Sequence, residues 1–242
     1  FKRPGDEAGS WDVVLPEEVC QALVAHPQFD PTTGPILQQI ASSRKPLLGA
    51  LAELLRHPAC DVRPASSKLV QLAVESGRLD VVGVLLRDER IDVTMARYAP
   101  FKMVINTWSV ALFKVLLARR DVSPAALDNY AVCACAERGL VELVSLLLDD
   151  GRVDAGARQN LPIRAAASGG YTAVVERLLR APGVDPAAID NFALRKAVAR
   201  GHADTALLLL ASPRVKPSLE VAALALRLAA DAGEDRLVAQ LI

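Results

Sequence analysis

Apolar positions along this chain fall in pairs of short blocks. The first block of each pair is apolar along one face, as over residues 191–200, and the second is aliphatic on most sides. Leu143, Val144, Leu146, Leu147 and Leu148 leave their block almost no polar face. A helix of that kind is sandwiched between neighbours rather than laid on a free surface. The spacing predicts helical pairs over residues 35–43 and 47–56, 68–76 and 79–87, 101–107 and 110–118, 129–138 and 141–149, 162–168 and 172–180, and 191–200 and 203–211. A last pair is expected at 221–232 and 235–241. One such pair is too small to bury its own apolar surface, so the pairs must stack.

Three columns of residues keep one beat. Gly77, Gly139, Gly170 and Gly201 stand at multiples of 31 residues, and Gly233 follows after 32, while Trp108 and Pro46 fill that slot in two copies. Glycine after a first helix can take the left-handed conformation that ends a helix without the steric cost of a Cβ. Asp30, Asp61, Asp92, Asp154 and Asp185 form the second column, with Ser123 and Lys216 in its remaining slots. Asn129, Asn160 and Asn191 form the third, at helix starts, where a side-chain cap is expected; Asp128 and Asp190 beside them are the expected N-caps. The connectors seat one apolar residue inward (Ile91, Val122, Val153, Val184, Val215) and then turn at Asp and Pro. A fixed period between about 20 and 50 residues signals stacked modules rather than one compact core.

The expected fold is therefore all-α, a solenoid of helical pairs joined by short connector loops. Residues 1–15 read as an N-terminal tail with a short strand at 11–15 and Trp11 as a lid. Residues 16–242 read as the array: a half-module, six full modules and a C-terminal capping pair, in which Gln240 replaces the apolar residue of earlier copies.

Composition narrows the chemistry. The chain is 52% hydrophobic but 4% aromatic, so its core is built from Ala, Leu and Val. Lysine plus arginine equals aspartate plus glutamate, 28 each, which gives no bulk pull toward nucleic acid or anionic lipid. No apolar run approaches the ~20 residues that span a bilayer. Cys20, Cys60, Cys133 and Cys135 make no disulfide framework in a chain of this length. They are expected as small reduced residues inside helices, which fits an intracellular, cytoplasmic setting. His26, His57 and His202 are too far apart in module register for a zinc set. No Ser-His-Asp grouping or phosphate-binding loop is apparent, so neither enzyme activity, metal nor cofactor is expected. The chain opens on Phe1 and its only methionines are Met95 and Met103, so further sequence before it is expected.

At Leu194-Arg195-Lys196-Ala197-Val198-Ala199-Arg200-Gly201-His202 the module resembles the ankyrin repeat, whose consensus reads T-P-L-H-x-A-A-x-x-G-H-x-x-V-V-x-L-L-L. Val174-Val175 before Leu178-Leu179, and Val81-Val82 before Leu85-Leu86, match the second-helix part. The opening tetrad keeps only its apolar third residue, as in Phe192-Ala193-Leu194-Arg195, Tyr130-Ala131-Val132-Cys133 and Leu161-Pro162-Ile163-Arg164. The module is also about two residues short in the connector, so a tight loop is expected there rather than a projecting β-hairpin.

The resemblance implies that first helices and loop tips line a concave groove that binds protein partners. Lys102, Arg164, Arg195 and Arg227 occupy the place of the consensus histidine, with Cys133 interrupting the column. Packed helices lie about 8–10 Å apart and an extended peptide rises about 3.3 Å per residue. The column would thus match acids spaced about three residues apart, or each cation would brace the adjacent connector. Trp108 would fill a local gap or anchor a partner, as tryptophan often does at interfaces. The expected function is a protein–protein interaction scaffold or adaptor for a protein or peptide partner of acidic character, with no nucleic acid and no membrane. The alternative is a targeting or regulatory ankyrin arm of a larger protein whose catalytic part lies outside this chain.

Overall fold

A computed structural model of the chain describes residues 48–57, 60, 62–63 and 66–232, with single positions at 22, 37 and 38. The expected tail and strand, the opening half-module, most of the helix at 35–43, Gly233 and the closing helix at 235–241 lie outside the described residues. So do Trp11, Cys20, His26, Asp30, Pro46, Asp61 and Gln240.

Among the described residues the fold is all-helical, with twelve helices and no strand. They are α1 (Leu48–Arg56), α2 (Ser66–Glu75), α3 (Leu79–Arg87), α4 (Met95–Ile105), α5 (Val110–Ala118) and α6 (Ala126–Glu137), then α7 (Val141–Asp150), α8 (Ala157–Ser168), α9 (Thr172–Leu179), α10 (Ala188–Ala199), α11 (Ala203–Leu210) and α12 (Leu219–Ala232). The chain divides into two compact units, Phe1–Met103 and Val104–Ile242, with the division inside α4.

In the first unit α2 turns back into α3, and α1 packs against α3. Leu51, Leu54, Leu69, Val70, Val82 and Leu85 are fully buried in it, each worth about 1.5–3 kcal/mol of transfer free energy. In the second unit α6 pairs with α7, α8 with α9, and α10 with α11. First helices touch first helices, α8 lying against both α6 and α10, and α10 against α12. Second helices touch second helices, α9 lying against α7 and α11, and α5 against α7. Leu143, Val144 and Leu147 of α7 are buried, and Leu146 and Leu148 half-buried, as a helix with neighbours on several sides requires.

The glycine column ends the first helices. Gly77, Gly139, Gly170 and Gly201 have φ between +68° and +76°. The next N–H in each case (Arg78, Leu140, Tyr171, His202) bonds the carbonyl five residues back at 2.8–3.0 Å. This is a Schellman closure, which satisfies carbonyls that the helix end leaves open. Trp108 holds the same slot with φ +55°, and there Ser109 caps α5, its Oγ accepting from the Leu112 N–H at 3.4 Å.

The helix starts differ from expectation. α6, α8 and α10 each open with three consecutive left-handed residues: Leu127-Asp128-Asn129, Arg158-Gln159-Asn160 and Ile189-Asp190-Asn191, with φ from +53° to +61°. The right-handed helix begins only after the asparagine. Asp128 and Asp190 are therefore not N-caps; they stand inside the left-handed turn with exposed side chains. The connectors before α4, α8 and α10 are tight. Asp92, Asp154 and Asp185 each accept, through Oδ1, the N–H two residues on, at 2.8, 2.8 and 3.0 Å. Ile91, Val122, Val184 and Val215 are buried as expected, while Val153 is half-buried.

Candidate partner-binding face

The asparagines tie each module to the next. Asn129 Oδ1 accepts the Asp154 N–H at 2.8 Å, and Asn160 Oδ1 accepts the Asp185 N–H at 2.6 Å. Asn191 reaches the same slot one module on with its other end, Nδ2 donating to the Lys216 carbonyl at 2.9 Å. Its Oδ1 is buried with no hydrogen-bond partner. The expected capping role is thus replaced by a cross-link spanning 25 residues, because a side chain on the last left-handed residue faces the following connector rather than its own helix.

A second set of links runs the other way and was not singled out from the sequence. Arg90 donates to the Cys60 carbonyl at 3.0 Å and to the Leu55 carbonyl, and Arg152 donates to the Val122 and Leu117 carbonyls at 3.1 and 2.8 Å. Each guanidinium is held by an aspartate two residues earlier, Asp88 at 2.7 Å and Asp150 at 2.6 Å. In the module between them the signs are exchanged: buried Arg119 pairs with Asp121 at 2.6 Å. The 31-residue beat of these pairs was the available signal. The Arg152 hydrogen bond holds the Asp150 carboxyl below the usual carboxylate range.

The cation column lies on first helices. Lys102 is half-buried on α4, in the first unit. In the second unit Arg164 is half-buried on α8, and Arg195 and Arg227 are exposed on α10 and α12. Arg164 closes its own left-handed turn, Nε donating to the Gln159 carbonyl at 2.9 Å and Nη2 to the Arg158 carbonyl at 3.1 Å. Arg195 repeats this more loosely, with Nη2 3.4 Å from the Ile189 carbonyl and Nη1 3.8 Å from Asp190 Oδ2. Where Cys133 interrupts the column, Arg158 of the next module reaches back. It donates to the equivalent Leu127 carbonyl at 2.6 Å and to Asp128 Oδ2 at 3.0 Å. The open carbonyl of each left-handed turn therefore finds a guanidinium, from its own helix or from its neighbour's turn.

Two aromatic rings have cations over them. The Arg164 guanidinium lies 5.2 Å, and the Lys196 ammonium 5.5 Å, from the centroid of the Phe192 ring. Arg138 stands 4.6 Å over the ring of Trp108, which is half-buried.

Cys60, Cys133 and Cys135 are buried free thiols; burial pushes Cys133 up, and Cys135 to about 12. A thiol so hard to ionise is a poor nucleophile. Among the described residues there is no group of His, Cys, Asp or Glu that could hold a metal ion, and no helix long and apolar enough to cross a membrane. Compared with known proteins, the chain matches no family model, no curated protein and no solved structure.

Proposed function

We propose that the chain is an ankyrin-like helical-pair repeat solenoid that works as a protein–protein interaction scaffold or adaptor, holding an acidic protein segment across its first helices α8 and α10. The repeated links described above support the modular reading, since every one of them joins a module to itself or to a neighbour. The observation that carries the function is a local excess of cations in a chain of zero net charge. α8 and α10 carry Arg158, Arg164, Arg195 and Lys196 with one acid, Asp190, and Arg158 is in turn paired with Asp128 of α6 at 3.0 Å. Such a face attracts an acidic segment and speeds its encounter. Arg195 and Arg227 supply outward charge, Arg164 is braced by its own turn, and Lys102 holds the same column position in the first unit. Three buried free thiols suit a reducing, cytoplasmic setting.

The test is reversal of two exposed cations, Lys196→Glu with Arg227→Glu. Surface changes of this kind cost about 0.5 kcal/mol or less of stability, so the melt should hardly move while salt-sensitive partner capture is lost. Undiminished capture by the doubly reversed protein would rule this face out as the binding surface.

A further inference from the structure

Phe192 was no candidate in the sequence; two cations stand over its ring. It is the first residue after the left-handed turn of α10, half-buried, with Arg164 of the preceding module and Lys196 of its own helix both over its ring. The equivalent positions in the two preceding modules hold Tyr130, whose hydroxyl donates to Asn106 Oδ1 at 3.2 Å, and Leu161. Leu161 offers no ring at this position, and the ring of Phe192 carries two cations. Arg164 is already fixed by two carbonyls, so one cation of the pair is immobile before any partner arrives. Lys196 is exposed.

We infer that Phe192, held under Arg164 and Lys196, is the positioning residue of the binding face, and that the cluster it organises with Arg195 receives a short acidic segment of a protein partner. This rests on the scaffold reading above. The physical reason is pre-organisation. The negative face of the ring offsets the mutual repulsion of two cations, and its apolar bulk keeps water from one side of each, which strengthens their attraction for an incoming carboxylate. The occupant is short because the basic stretch is bounded: α6, packed against α8, carries Asp128 and Glu137, both exposed. A long polyanion such as nucleic acid would run onto those acids. A protein segment with two or three acids would not.

The experiment uses the full chain and a fluorescent peptide with glutamates every third residue, read by anisotropy over a salt series. A neutral peptide of equal length and a single-stranded oligonucleotide serve as comparisons. Phe192→Leu keeps apolar bulk but removes the ring, and is expected to weaken binding about threefold to tenfold, with Phe192→Tyr restoring it. Lys196→Gln, at an exposed position, should weaken binding with an unchanged melt. The double variant should lose less than the product of the two, because the residues act through one contact. Equal binding by wild type and Phe192→Leu, or independent effects of the two substitutions, overturns the clamp and leaves the scaffold standing. Tighter binding of the oligonucleotide than of the peptide overturns the assigned occupant. No peptide binding by the wild-type chain overturns both readings.

Discussion

Gly77 and Gly139 make the same left-handed turn, φ +68° and +72°, in different surroundings. A Cβ added at Gly77 would meet nothing within 4 Å, whereas one at Gly139 would lie 2.5 Å from the Tyr171 ring of the next module. Gly77→Ala should therefore cost only the backbone penalty, about 1–2 kcal/mol, and Gly139→Ala distinctly more; urea unfolding measures both, and equal costs would mean that the tyrosine lid yields freely. The asparagines part in the same way. Asn160→Ala removes the acceptor of a backbone N–H and is expected to cost about 1–3 kcal/mol. Asn191→Ala removes one bond but also an oxygen that has no partner, so it should cost clearly less, and an equal or larger loss would contradict the assignment. The spacing of Gly, Asn and Asp columns was legible in the sequence. Which column bonds which was not, because columns that share one period stand at a constant offset from every other column. Phe192 was hidden for a different reason: its significance lies in a residue 28 positions earlier, Arg164.

At the scale of elements, α5 spans 110–118 as the pattern predicts, and α3 spans 79–87. Aliphatic second helices are set by burial, which the sequence displays directly. The starts of α6, α8 and α10 are set by left-handed turns that contain no glycine, at a cost of about 1–2 kcal/mol per residue, offset by hydrogen bonds to guanidinium groups. Nothing local in Arg158-Gln159 or Ile189-Asp190 announces that conformation; the asparagine that closes each triplet is the one hint. The Asp150–Arg152 clasp makes a further prediction. Its carboxyl has a lowered pKa in the folded chain, so its contribution is complete above the unfolded value of about 4 and disappears as pH falls through the folded value. The stability gap between wild type and Asp150→Asn, measured by chemical unfolding, should be open at pH 7 and close as pH falls below about 4. A gap independent of pH would contradict the pairing. The natural exchange at Arg119 and Asp121 adds that the double change Asp150→Arg with Arg152→Asp should melt nearer to wild type than either single change, each of which sets like charges together.

For the whole chain, the 31-residue period runs through the sequence of both units, and within the second unit three successive first-helix asparagines each bond the connector of the next module at the same offset. In a repeat solenoid, as proposed, stability adds up from units and nearest-neighbour interfaces, so the chain is expected to tolerate the loss of one complete unit and not of a part. The proposed binding face is then a property of neighbouring modules rather than of the chain as a whole, and a chain of zero net charge can still carry a basic stretch on α8 and α10. Deletion of residues 158–188 tests this most directly, since it joins Ala157 to Ile189 and keeps the Asn129–Asp154 and Asn191–Lys216 links. The account predicts a helical protein with one cooperative, somewhat lower melt by circular dichroism, while deletion of residues 158–176, out of register, should abolish cooperative unfolding. Loss of cooperativity in the 158–188 deletion, or equal tolerance of both, would contradict it.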